Sequence, residues 1–164
     1  MKKTLIIGYG NPDRQDDGVA WHILVCLAKR LKRPAPPSFE EDFLPSGENP
    51  ELSFSLQLTP EMAETIADYE RVCFIDAHTG SVPEDIHVEA MSPSFQTSPF
   101  THHLTAPACL YLVKALYNAS PEALLVSVRG YRFGFEHALS PETTRLAGEA
   151  CDRVLAWLGE TAPL

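Results

Sequence analysis

The sequence predicts an α/β fold: a three-layer sandwich in which a mostly parallel twisted sheet is flanked by helices on both faces. Two observations carry this. Strand-like and helix-like stretches alternate along nearly the whole chain, the pattern that builds a parallel sheet through helical crossovers. The strand-like stretches "TLIIG", "RVCFIDA" and "ALLVSVRG" are near-continuous apolar runs, as strands covered on both faces require.

Each element has its own signal. "TLIIG" opens the chain as a buried strand. Val19, Ile23, Leu24, Leu27 and Leu31 then recur at helical spacing over residues 18–31. "RPAPPSFEEDFLPSGENPE" breaks regular structure with prolines and polar residues and reads as an exposed loop. "LSFSLQL" alternates like a strand. Thr59, Pro60 and Glu61 supply a hydroxyl cap, a first-turn proline and an acid for a helix start. "RVCFIDA" is a second buried strand, and "DIHVEAM" a more alternating one. Thr105 is placed to cap a helix running to Tyr117, which Pro107 confines to starting there. After the strand "ALLVSVRG", Ser140, Pro141 and Glu142 open a final helix to Leu158. No internal repeat or low-complexity tract interrupts this order.

The whole-chain numbers exclude several classes of protein. At 164 residues the expectation is a single domain over residues 1–164, large enough for a real core. The net charge of −9, from 22 acids and 13 bases, argues against a nucleic-acid or anionic-membrane partner, which would call for a basic face. The apolar run after "MKK" stops at a Gly-rich turn after four residues, too short for a secretion signal. No stretch approaches the length of a membrane helix. The reading is a cytoplasmic monomer. Cys26, Cys73, Cys109 and Cys151 are far apart among apolar neighbours, which suits buried free thiols and not a structural zinc site.

The chemistry gathers in three polar clusters. Residues 5–24, "LIIGYGNPDRQDDGVAWHIL", have the outline of a nucleotide-binding turn: a buried strand, Gly8 and Gly10, then an apolar helix. A dinucleotide fingerprint needs a third glycine where this chain has Asp13, and a phosphate loop needs a lysine that is missing. The turn instead carries Asp13, Asp16 and Asp17, three carboxylates where a phosphate wants none. Helix capping accounts for one of them, Asp13 or Asp16. Three crowded together repel, and call for a cationic partner. "CFIDAHTG" places Asp76 at the carboxyl end of a strand, followed by His78 and Gly80. "SPFTHHLTAP" places His102 and His103 ahead of a helix. Carboxyl ends of parallel strands line one crevice, so Asp16 and Asp17 of the first loop, Asp76 and His102 are expected to converge there, where two carboxylates and an imidazole would make an open divalent-metal site. Taken singly, each has a plainer fate: a turn-capping aspartate, or a loop histidine bonded to backbone. No G-x-S-x-G elbow appears, and no cysteine lies beside a polar loop.

"GYGNPDRQDDGVA" resembles the G-x-G-N-x-x-x-x-D-[DE]-G-x-[GA] signature of the hydrogenase maturation proteases. These endopeptidases trim the C-terminal extension of the large subunit of nickel-iron hydrogenases. The resemblance continues through "QLTPEMAETIADYERVCFIDAHTG", through "THHLTAP" and through "GYRFGFEHALSPE", and so spans nearly the whole chain. It implies that Asp17, Asp76 and His102 are the metal-contacting and catalytic residues. Asp17 stands where many members have Glu. Ala20 stands where glycine is frequent, and "QLTPE" replaces a Gly-Gly turn, so the chain looks like a distinct branch. Asp16 would then support Asp17 or the loop backbone, and Asn11 would shape the turn. Gly8, Gly10 and Gly18 would give the turn its backbone freedom.

By the same resemblance the metal is the nickel already inserted in the precursor. An oxygen-and-nitrogen triad would meet it at positions the precursor's thiolates leave open. No tightly bound cofactor is expected in the isolated protein. The alternative is a non-catalytic module that uses the same crevice to hold metal or a metalloprotein.

Overall fold

The computed structural model describes residues 2–34, 38–40, 46–95 and 103–159. Five strands form one sheet: β1 (Thr4–Tyr9), β2 (Glu51–Ser55), β3 (Arg71–His78), β4 (Ile86–Met91) and β5 (Glu122–Arg129). Their spatial order is β2-β1-β3-β5-β4. All neighbours run parallel except β4, which pairs antiparallel with β5 at one edge. Four helices join them: α1 (Val19–Arg30), α2 (Met62–Ile66), α3 (Ala106–Tyr117) and α4 (Pro141–Gly159). The expected fold class is the one observed.

The period-2 alternation of each strand splits the core in two. Ile6, Cys73, Ile75, Val126 and Val128 pack on one face with α1 and α4, through Ile23, Leu24, Leu27, Ala150 and Val154. Leu5, Ile7, Val72, Phe74 and Ala123 pack on the other with α2 and α3, through Ala63, Ile66, Cys109 and Val113. Strands buried on both faces need apolar residues at every position, which is why their sequences are continuous apolar runs. At roughly 1.5–3 kcal/mol per buried large aliphatic or aromatic side chain, these two layers hold the sheet's carboxyl edge in place.

Two boundaries differ from the sequence reading. β2 ends at Ser55, because Leu56 is turned out to solvent while Leu58 is buried. α2 begins at Met62, with no side-chain cap. The Met62 and Ala63 N–H groups bond instead to the Thr59 and Pro60 carbonyls, so a turn stands where the capped start was expected. Thr105 does cap α3, its hydroxyl accepting from the Ala108 N–H at 3.2 Å. All four cysteines are free, three buried and Cys26 half-buried. No helix among the described residues is long and apolar enough to cross a membrane.

The strand order fixes where a ligand would sit. β1 leads through α1 to β2 on one side, and the chain then returns to place β3 on β1's other side. The crevice between the carboxyl ends of β1 and β3 is thus the topological switch point of the sheet, where open α/β sheets bind ligands. Tyr9 ends β1 there, and Asp76 lies near the end of β3.

Candidate active site

Alternation along β1 and β3 turns Tyr9 and Asp76 to the same face, the one covered by α3. The Tyr9 hydroxyl donates to Asp76 Oδ2 at 2.8 Å, while Asp76 Oδ1 is buried without a hydrogen-bond partner. Burial pushes the Asp76 carboxyl above its ordinary range. The nearby Ser127 and Tyr9 hydroxyls and the His78 ring pull it down, and the negative charge of Asp17 adds to the rise. The net effect is upward. Burial also pushes the Tyr9 phenol up, with Asp76 adding to it, so Tyr9 keeps its proton and remains a donor.

Asp76 lies on the wall of a cavity of about 740 Å³, lined by Tyr9, Met91, Phe95, Leu125 and the approach to α3, including His103 and Leu104. Mostly apolar walls around one desolvated carboxyl make a group that gains from a proton or a metal cation. Neutralisation by water is poor there. Coordination or proton transfer is what this arrangement can do.

The three aspartates of the first loop have separate roles. Residues Pro12–Gly18 form a kinked 3₁₀ segment, capped by Asn11, whose side chain accepts from the Asp13 N–H at 3.0 Å. Asp13 is exposed and pairs with His137 at 2.7 Å. Asp17 turns back over the loop, its Oδ2 accepting from the Asn11 N–H at 2.8 Å. It lies near enough to Asp76 for its charge to be felt there.

Asp16 is wholly buried. Its Oδ2 accepts from the N–H groups of Tyr131 (2.8 Å) and Arg132 (2.9 Å) and from the hydroxyls of Ser140 (2.6 Å) and Thr143 (2.9 Å). Its Oδ1 accepts from the Ser140 N–H at 2.8 Å. Burial alone would push this carboxyl up. The bonds from Ser140 and from the Tyr131 and Arg132 main chain outweigh burial and hold it below the ordinary range. Asp16 therefore fastens the first loop to the β5–α4 connection, and so places its neighbour Asp17. The capping explanation for Asp16 is replaced by this longer-range one.

The glycines serve two ends. Gly10 has φ +143°, and a Cβ there would lie 2.1 Å from the Asp17 carbonyl oxygen. Gly18 and Gly8 instead permit close approach, to Pro12 and to Leu24 and Ala20 respectively. Gly10→Ala should displace Asp17 and cost more than about 2 kcal/mol. Thermal melting checks the stability loss, and a variant melting with the wild type would show that the loop tolerates the side chain.

His102 lies outside the described residues, as does Thr101. The structure thus places Asp76 and His103 on the wall of one cavity, with Asp17 near enough for its charge to reach Asp76. Among the described residues no three His, Cys, Asp or Glu side chains are grouped to hold a metal ion. Sequence reasoning missed Tyr9, whose place at a strand end beside Gly10 was the available signal. It also missed Ser140, which looked like a helix-start residue only, and Thr143, which carried no signal.

No family model matches the chain, and no curated protein sequence matches it. Solved structures do. A [NiFe] hydrogenase maturation protease HybD from Thermococcus kodakarensis superposes with a TM-score of 0.66 at 15% identity, over 95% of this chain and 99% of that one. The hydrogenase maturating endopeptidase HybD from E. coli gives 0.65 at 16% identity, over 96% and 93%. A [NiFe] hydrogenase maturation protease HycI from Thermococcus kodakarensis KOD1 gives 0.62 at 19% identity, over 97% and 94%. At these identities the likeness is one of fold, and it runs through the whole chain.

Proposed function

We propose that this chain is an endopeptidase of the hydrogenase maturation type, removing the C-terminal extension of a nickel-iron hydrogenase large-subunit precursor after nickel insertion. The observation that carries the reading is Asp76: a desolvated carboxyl with an unpartnered oxygen, at the switch point, near a second carboxylate. The fold it shares with the maturation proteases supports it.

In this reading the nickel arrives with the precursor, held by thiolates, and needs only hard or borderline ligands at its open positions. Asp17 and Asp76 would supply oxygens, and His102 a nitrogen. The metal's charge offsets the desolvation of Asp76. Hydrolysis adds water across the scissile bond: oxygen to the carbonyl carbon, and its proton to the departing amine. A carboxylate beside the bond is suited to carry that proton. The site without precursor is a weak one, because two carboxylates, one from the first loop and one from β3, hold a divalent ion poorly.

Asp17 gives the test, since charge and shape can be separated there. Asp17→Asn keeps an oxygen to accept from the Asn11 N–H, so stability should change by less than about 0.5 kcal/mol. Removing the negative charge should nevertheless cut processing of nickel-loaded precursor at least about a hundredfold, the scale of one lost electrostatic contact in an active site. Asp17→Glu keeps the charge and should retain much of the rate. Gel analysis of precursor shortening, with thermal melts of each variant, measures both. An Asn variant that processes at the wild-type rate removes Asp17 from the chemistry.

A further inference from the structure

Phe135 is the most exposed large apolar side chain among the described residues, with 86% of its surface open to solvent. A single exposed apolar side chain is ordinary. What sets this one apart is how firmly the chain around it is held. Arg14 donates from Nε and Nη2 to the Phe133 carbonyl, at 3.1 and 2.7 Å. Gln15 Oε1 accepts from the Gly134 N–H at 3.2 Å, and the Gln15 N–H donates to the Glu136 carbonyl at 2.9 Å. Asp16 takes the N–H groups of Tyr131 and Arg132, and His137 pairs with Asp13. From Tyr131 to His137, every residue but Phe135 is thus bonded to the first loop. The Phe135 ring has the Arg14 guanidinium over one face, at 4.6 Å.

This hold is bought with backbone strain. Gln15 has φ +53° and ψ −112°, a conformation that residues other than glycine rarely adopt. Strain of this kind persists where the surroundings over-determine it, and it gathers at functional sites. Here it fixes the residues on either side of an outward-facing ring. Phe133, two positions earlier, instead lays its ring against Gly130.

We infer that Phe135 is the anchor on which the folded body of the metal-bearing precursor docks, beside the cleavage site and not within it. The clamping residues Arg14, Gln15 and Asp16 run directly into Asp17. The segments after β1 and β5 both leave the carboxyl edge of the sheet, so a macromolecule that brings its tail to Asp76 lies over that edge. A ring already held in place loses little freedom on binding, and aromatic anchors of this sort carry much of the energy of protein interfaces. Charged side chains surround it: Arg14, Arg132 and Glu136 are exposed and make no ion pair among the described residues. An apolar centre within a charged rim is the make-up of a protein interface. The matching surface is an apolar recess with a carboxylate placed to meet Arg14. This inference rests on the endopeptidase reading, since it takes the precursor as the partner.

Phe135→Ala should raise KM for a nickel-loaded nickel-iron hydrogenase large-subunit precursor about tenfold, with kcat within about twofold of wild type. Calorimetric titration of the same precursor into Asp76→Asn protein, with and without Phe135→Ala, should show Kd weakened by about the same factor. Melting should stay within about one degree, because so exposed a ring adds little to the fold. Phe135→Tyr keeps the ring and should bind as the wild type does. An alanine variant with wild-type KM and Kd overturns the inference. So does a loss in kcat with KM unchanged, which would put the ring in the chemistry. A wild-type dimer in light scattering that Phe135→Ala dissociates would make the occupant a second copy, and overturns it as well. Wild-type protein that leaves the precursor uncut overturns the endopeptidase reading itself. The Kd comparison then still decides the anchor, and precursor that does not bind at all overturns both.

Discussion

Asp76→Asn is expected to abolish precursor processing and, in the same protein, to raise the melting temperature. The two effects have one cause. Burial, with Asp17 adding to it, raises the folded pKa of Asp76 above its unfolded value. The folded state therefore holds this proton to higher pH than the unfolded chain does. Stability falls as pH rises from the ordinary carboxylate range through the folded pKa. Asparagine cannot ionise and still offers an oxygen to the Tyr9 hydroxyl, so it escapes the penalty. For a chain of this size each kcal/mol regained raises the melting temperature by about 2–4 °C. Activity should fall by about a thousandfold or more, as expected when a group acting on the reacting atoms is removed. Calorimetry from pH 4 to 8 checks the sign. The wild type should lose stability relative to the variant as pH rises, and a variant that melts below wild type at pH 7 would contradict this account of Asp76.

Asp16→Asn should do the opposite: lower stability by loosening the first loop, and reach the chemistry only through the displacement of Asp17. The Asp16 carboxylate accepts from three main-chain N–H groups and two hydroxyls in a buried site. An amide offers one oxygen and turns two N–H donors toward groups that are themselves donors. Each buried donor left unmatched costs about 1–3 kcal/mol, so the expected loss is about 3–5 kcal/mol, a large share of a typical domain's stability. A melting temperature about 10 °C lower follows. The pH sign is also reversed. Hydrogen bonding holds the folded pKa of Asp16 below the unfolded value. Its stabilisation is present above the unfolded pKa and is lost as pH falls through the folded one. Acid unfolding of wild type and variant should therefore converge at low pH. A variant that melts within a degree of wild type at pH 7 would mean that the loop is held by other contacts.

The sheet was legible because its physics is local. Continuous apolar runs such as Val72–Ile75 can only be strands covered on both faces, and the spacing of Val19, Ile23, Leu24 and Leu27 can only bury one face of a helix. The loops were less so. Thr59 has the chemistry of a cap, but the Met62 N–H bonds to its backbone carbonyl, and no local pattern decides between the two. For Asp16 the sequence leaves a helix cap and a support of the first loop both open, because its donors lie about 115 to 127 positions away in the chain, where sequence spacing carries no information. The motif "GYRFGFEHALSPE" was visible, but its work, holding the first loop, emerges only when β5 and β1 lie in one sheet. That Asp76 Oδ1 lacks a partner is not legible in the sequence, since an unpartnered atom is a property of three-dimensional surroundings. Asp17 and Asp76 were placed at one sheet edge by topology alone, through the rule that parallel strands share a carboxyl end.

The proposed activity is the cutting of a metal-bearing precursor held in this crevice. The purified protein is incubated with a nickel-iron hydrogenase large-subunit precursor in two forms, nickel-loaded and nickel-free, and mass is followed by gel and mass spectrometry. The nickel-loaded precursor alone should lose its C-terminal segment, at a rate that Asp76→Asn abolishes. Stable binding of the loaded precursor without shortening would contradict it, and would make the protein a metalloprotein-binding module.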